Sequence, residues 1–144
     1  MEITMIGLGK MGLNMVKRLL RGGHTVYASD RAAAPVAEAV GAGAKELASL
    51  NDLKKLAAPR VVWVMVPSGA PTSETIDQLA GILSTGDIVI DGGNSMFRDS
   101  IAHHNKLQAS GISFLDAGTS GGVWGLEVGY CLMVGGEKEV FARI

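Results

Sequence analysis

The stretch Glu2-Ile3-Thr4-Met5-Ile6-Gly7-Leu8-Gly9-Lys10-Met11-Gly12 decides how this chain is read. A strand-like run, Glu2–Ile6, meets a Gly-x-Gly-x-x-Gly turn, and Met11, Met15, Val16, Leu19 and Leu20 then recur at helical spacing. In that context the first Gly permits a tight turn, the second lets backbone approach a ligand, and the third lets helix and strand pack closely. The new helix aims its unpaired N–H groups at whatever lies above the turn, which favours an anion. Strand, Gly-rich turn and helix in this order accept the pyrophosphate of a dinucleotide. Lys17, Arg18 and Arg21 complement the dipole in the last turn, and Gly22-Gly23 ends the helix.

The next strand, Thr25–Ser29, runs into Asp30, at the distance where an acidic side chain accepts hydrogen bonds from an adenosine ribose. A carboxylate there repels the extra 2′-phosphate of NADP, so NAD is the expected cofactor. Arg31 follows immediately and offers that phosphate a cation, which keeps NADP as the alternative. Gly7, Leu8, Gly9, Lys10, Met11, Gly12, Asp30 and Arg31 are therefore the expected cofactor residues.

Further along, strand and helix patterns keep alternating. Helical stretches are expected at 33–40 and, more loosely, 47–56. Residues 60–66 form an unbroken apolar strand of the kind buried on both faces. Thr72 or Ser73 is the expected cap of a helix carrying Ile76, Leu79, Ala80 and Leu83 on one side. Strands are expected at 87–90, 112–116 and 131–134, and a helix over 95–109 that ends before Gly111. This alternation specifies an α/β fold: a doubly wound parallel sheet, of the Rossmann dinucleotide-binding type, covered by helices on both sides. Residues 137–144 look like the opening turns of a helix, so the domain over 1–144 is expected to be incomplete at its C-terminal end.

Two later blocks carry chemistry. Asp91-Gly92-Gly93-Asn94-Ser95 follows a strand and opens a helix, at the carboxyl end of the sheet where ligands bind in such folds. Asn94 both donates and accepts hydrogen bonds, and Ser95 is the expected N-cap. A capping loop accounts for Ser95 but not for the Gly pair. Asp116-Ala117-Gly118-Thr119-Ser120-Gly121-Gly122 also follows a strand, and Ser120 with two glycines offers a hydroxyl and exposed N–H groups to an anionic substrate oxygen. A flexible turn is the plainer alternative there.

These three blocks, in this order and spacing over essentially the whole chain, resemble the N-terminal NAD(P)-binding domain of decarboxylating 6-phosphogluconate dehydrogenases. The Asp91–Ser95 block is the most diagnostic part, since related 3-hydroxyisobutyrate dehydrogenases look different there. Gly122-Val123-Trp124-Gly125-Leu126-Glu127, with Asp30, resembles the shorter, NAD-preferring branch. The longer branch has acidic residues where Val123 and Trp124 stand, so its nicotinamide contacts do not carry over. The resemblance implies oxidation of 6-phosphogluconate at C3, loss of CO2 and formation of ribulose 5-phosphate. It implies that Asn94 lies between nicotinamide and substrate, and that Ser120, Gly121 and Gly122 hold the sugar acid. Backbone near Met65, Val66 and Pro67 would flank the adenosine-ribose and pyrophosphate side. The family's general base, a Lys, and general acid, a Glu, would fall beyond Ile144. So would the large helical domain that completes the substrate pocket and a homo-oligomer. The isolated chain is accordingly expected to show no turnover, because a lost general base costs orders of magnitude in rate.

Composition narrows the alternatives. The chain has 144 residues, 20 of them Gly, and a net charge of −1, with no basic run to serve nucleic acid or an anionic membrane. A single cysteine, Cys131, fits a reducing compartment and reads as a buried, inert thiol. The longest apolar run is too short to cross a bilayer and no basic leader is visible, so the cytoplasm is the expected location. His24 reads as structural, and His103 and His104 are adjacent on one helix and do not share a face, so no metal site is expected. Met5, Met11 and Met15 read as packing, and Trp124 fits pocket or core equally. The rival readings are a 3-hydroxyisobutyrate-type dehydrogenase, a non-catalytic NAD-binding module, and a methyltransferase, which would leave Ser120-Gly121-Gly122 unexplained.

Overall fold

Strands whose successive residues are all apolar need cover on both faces, and the chain supplies it. The computed structural model describes residues 1–144. Its strands are β1 (Glu2–Ile6), β2 (Thr25–Ser29), β3 (Lys45–Glu46), β4 (Val61–Val64), β5 (Ile88–Asp91), β6 (Ser113–Ser120) and β7 (Cys131–Gly136), in the sheet order β3-β2-β1-β4-β5-β6-β7. The main helices are α1 (Lys10–Arg21), α2 (Ala33–Gly41), α3 (Ala70–Ala80) and α4 (Phe97–Gln108), followed by the single turns α5 (Gly125–Val128) and α6 (Lys138–Phe141). Val61 and Trp63 join Met5, Ile88, Ile90 and Leu115 in a core with Met15 and Val16 of α1. Val62 and Val64 join Val89 and Phe114 in a second core with Ile76 and Leu79 of α3 and Leu107 of α4. The period-2 alternation of β4 thus feeds two cores, one on each face of the sheet. No helix is long and apolar enough to cross a membrane.

The sheet departs from the expected one at both edges. Lys45–Glu46 adds a short strand beside β2 that no apolar signal announced, since both residues are exposed. At the other edge β7 runs antiparallel to β6, pairing Leu115 with Gly136 and Ser120 with Cys131, so the sheet is mixed rather than wholly parallel. The reason is the connection. Residues 121–130 are too few for the crossover that parallel pairing requires, so the chain turns straight back. Pairing with β7 also carries β6 to Ser120, through residues expected to be loop. Because β7 is an edge strand with no element packed on it, all of it is exposed, and Cys131 is an exposed thiol instead of a buried one.

Several boundaries move for local reasons. The strand expected over 60–66 ends at Val64 and begins after Arg60, whose N–H donates to the Asp87 carboxylate at 2.7 Å. Asp87 is wholly buried and also accepts from the Arg60 guanidinium at 2.8 Å and the Ser84 N–H at 2.9 Å, so it anchors this end of the sheet. Neither Thr72 nor Ser73 caps α3. Gly69 does so with φ 89°, Pro71 occupies the first turn, and the buried Thr72 hydroxyl donates to the Pro67 carbonyl at 2.9 Å. Likewise Met96, not Ser95, precedes α4 in extended conformation, and Ser95 Oγ is buried without a partner. The loose helical stretch at 47–56 is a 3₁₀ helix, Leu50–Lys55, closed by a Ser49–Asp52 capping box.

Candidate functional site

β1 and β4 are neighbours, but from β1 the chain goes to β2 on one side and from β4 to β5 on the other. Loops that diverge this way open a crevice at the carboxyl ends of the strands. A cleft of about 730 Å³ lies there, which is the size expected of a small-molecule site. Gly7, Gly9, Met11 and Gly12 form its floor, Asp30 and Arg31 one end, Met65, Val66 and Pro67 a wall, and Gly92, Gly93 and Asn94 the other end.

Each glycine of the first turn has its own reason. Gly7 has φ 94°, and a Cβ there would strike the Met65 carbonyl, with Met65 C at 2.7 Å and Val66 Cγ1 at 2.9 Å. A Cβ on Gly12 would strike the Gly7 carbonyl oxygen, so α1 sits against the turn with no space between them. Gly9 differs: a Cβ would meet nothing within 4 Å, so this backbone faces open space. No acidic residue lies in the first turn of α1 and no side chain caps it, which leaves its positive end uncompensated. An uncapped helix N-terminus above bare glycine backbone fits a bound pyrophosphate.

Asp30 is tied into this loop. Its Oδ2 accepts the Leu8 N–H at 2.6 Å, and its Oδ1 accepts the Ala32 N–H at 2.8 Å. The carboxylate therefore braces the Gly-rich turn from the end of β2, while each oxygen keeps a lone pair for a ribose hydroxyl. Leu8 is only 2% exposed, so it contributes backbone to the site and its side chain to the core. Lys10 is exposed and is not among the cleft walls.

At the far end Asn94 holds a left-handed conformation, φ 56°, and its Oδ1 accepts the Thr119 N–H at 3.0 Å. That bond joins the two later sequence blocks. The Gly pair before Asn94 serves packing: a Cβ on Gly92 would strike the Trp63 indole, and one on Gly93 would lie 2.7 Å from the Val66 carbonyl oxygen. Ser120, Gly121 and Gly122 follow Thr119 at the end of β6, outside the walls of the cleft. Gly121 has φ 129°, which glycine alone adopts without strain, and Gly122 has φ 50°, in the left-handed region that glycine enters most readily. The segment after them is fastened to α1, since Arg18 donates to the Leu126 carbonyl at 3.1 Å and Arg21 pairs with Glu127 at 3.2 Å. Trp124, 74% exposed, belongs neither to the core nor to the cleft.

Beneath the Asn94 loop, Asp91 and Asp116 face each other in register on β5 and β6. Asp91 is wholly buried, accepts the Gly93 N–H at 2.9 Å through Oδ1, and leaves Oδ2 unpartnered. Burial first, and then the nearby Asp91 charge, push the Asp116 carboxyl above its ordinary range, against a hydrogen bond with Ser100.

Sequence reasoning missed the α3 wall. Pro71, Thr75 and Gln78 line the cleft from positions i, i+4 and i+7. Their shared face was legible from spacing alone. Ala48, Ser49 and Leu50 also line it, and nothing in their composition marks them.

Comparison with known proteins agrees with this geometry. The family model described as the NAD binding domain of 6-phosphogluconate dehydrogenase matches residues 2–144. An NAD(+)-dependent, decarboxylating 6-phosphogluconate dehydrogenase of Haloferax volcanii is 44% identical over 145 residues, covering 100% of this chain and 48% of that protein. Among solved structures, a Mycobacterium tuberculosis 3-hydroxyisobutyrate dehydrogenase with L-serine superposes with TM-score 0.90 at 28% identity, over 99% of this chain and 48% of the other. A Plasmodium falciparum 6-phosphogluconate dehydrogenase, solved in apo form, with NADP+ and with 6-phosphogluconate, gives TM-score 0.90 at 26% identity, over 99% and 32%. The chain thus spans about half the length, or less, of the proteins it matches.

Proposed function

This chain belongs to the family of NAD-binding domains of 6-phosphogluconate dehydrogenase, and from that premise we propose that it is the cofactor-binding half of an enzyme converting 6-phosphogluconate to ribulose 5-phosphate by oxidative decarboxylation. The Asn94–Thr119 bond carries the reading, because it sets the substrate-side block against the far end of the dinucleotide cleft.

In this proposal the N–H groups at the start of α1, above Gly9, hold the pyrophosphate, and Asp30 accepts from the adenosine ribose. Met65, Val66 and Pro67 flank the same half of the dinucleotide. Asn94 stands between nicotinamide and sugar acid, with Ser120, Gly121 and Gly122 beyond it. Bound NAD supplies the hydride acceptor. The ionisable residues of the cleft wall are Asp30 and Arg31, both at the adenosine end. No wall residue near Asn94 is placed to take the proton of the substrate hydroxyl, so the chain by itself binds cofactor without turnover. A 3-hydroxyisobutyrate-type substrate is the second reading, favoured by the backbone match to the mycobacterial enzyme.

Calorimetric titration of the purified chain with NAD and NADP at one salt concentration tests the proposal. Saturable binding, tighter for NAD, is expected, and so is no oxidation of 6-phosphogluconate. A folded chain that binds neither nucleotide overturns the cofactor assignment, and turnover by this chain overturns the division of labour.

A further inference from the structure

Arg31 is the one cation in the cleft wall, and it does not stand alone. Its side chain is 85% exposed, and its Nη2 lies 3.8 Å from Oε2 of Glu74, itself 63% exposed, on α3. Glu74 immediately precedes Thr75, one of the α3 residues that wall the cleft opposite β2. The adenosine end is therefore edged by two carboxylates, Asp30 on β2's end and Glu74 on α3, with a single guanidinium between them in charge.

We infer that Glu74 is a specificity-determining residue that selects NAD over NADP by occupying Arg31. The inference rests on the dinucleotide reading above. A ribose carrying a 2′-phosphate needs a free cation, preferably the bidentate fork of an arginine. Here that fork is drawn toward Glu74, which competes with the phosphate for it, and the phosphate's own charge is repelled by Asp30. A ribose with a free 2′-hydroxyl brings no charge and meets neither penalty. Asp30 repels the phosphate whatever Arg31 does, so Glu74 adds to the discrimination by engaging the one cation of the cleft wall that would offset that repulsion. Glu74 is exposed on its helix and makes no hydrogen bond that the fold requires; its ion-pair partner is Arg31, at the cofactor edge.

The decisive experiment compares the ratio of NAD to NADP affinity in the wild-type chain, Glu74→Gln, Arg31→Ala and the double variant. Calorimetric titration at low and moderate salt supplies the affinities, and far-ultraviolet circular dichroism confirms the fold of each. Freeing the Arg31 fork from a competing carboxylate at a solvated edge is expected to shift the ratio toward NADP by about five-fold. The shift should shrink as salt screens it and vanish when Arg31 is absent. An unchanged ratio in Glu74→Gln overturns the inference while leaving the dinucleotide reading intact, provided the wild-type chain binds. A shift of equal size in the Arg31→Ala background also overturns it, since Glu74 would then act on the phosphate directly. Binding of neither nucleotide by the folded wild-type chain removes both the reading and the inference.

Discussion

Asp30→Ala separates bracing from cofactor recognition. If Asp30 served only the ribose, its loss would leave the cofactor-free protein as stable as before. The structure says otherwise. The Leu8 N–H donates to Asp30 Oδ2 at 2.6 Å across 22 residues, and Leu8 is only 2% exposed, so water does not readily replace the carboxylate. A hydrogen bond to a charged group, or a buried donor left without a partner, is worth about 1–3 kcal/mol. The second bond, to Ala32, costs less, because that N–H lies in an exposed turn and finds water. The expected destabilisation is therefore about 2 kcal/mol. For a domain of this length that corresponds to a melting point lower by about 6 °C. Asp30→Asn keeps one oxygen for Leu8 and should fall between alanine and wild type. Urea denaturation without nucleotide, followed by circular dichroism and analysed with a common slope, reads the change directly. Stabilities of wild type and Asp30→Ala within about 0.5 kcal/mol of each other would refute the bracing role.

Two further outcomes follow from the same site. Gly12→Ala places a methyl against the Gly7 carbonyl and should cost about 1–3 kcal/mol by overpacking, whereas Gly9→Ala meets open space and should spare stability while weakening nucleotide binding; thermal melts and titrations of the pair check both. Asp116 titrates above its ordinary range because burial and Asp91 oppose its charge, so the folded state holds its proton more tightly than the unfolded chain does. Its contribution is present below the unfolded value and is lost as pH rises through the raised one. Asp116→Asn should flatten that decline in urea melts taken from acid to neutral pH, and an unchanged slope would count against the folded state's tighter hold on the Asp116 proton.

The chain order of strands and helices, the Gly-rich turn and the acid after β2 were legible from the residues because each depends on near neighbours. Val61 to Val64 must be covered on both faces whichever helices do the covering, and Gly7, Gly9 and Gly12 mark the turn by spacing alone. What failed were assignments that depend on a distant partner. Ser95 has the chemistry of a cap, but the bond from Asn94 to Thr119 holds that loop so that the helix starts two residues later. Cys131 lies in an apolar run, yet it is exposed because nothing packs on the edge strand that carries it. Asp30, beside the ligand role expected of it, also braces the Gly-rich turn, and that second role is invisible locally because only the folded chain brings the Leu8 N–H to its carboxylate. Local pattern determines which elements form; the residue each buried donor or acceptor finds as a partner is a property of chain crossings that no window of sequence contains.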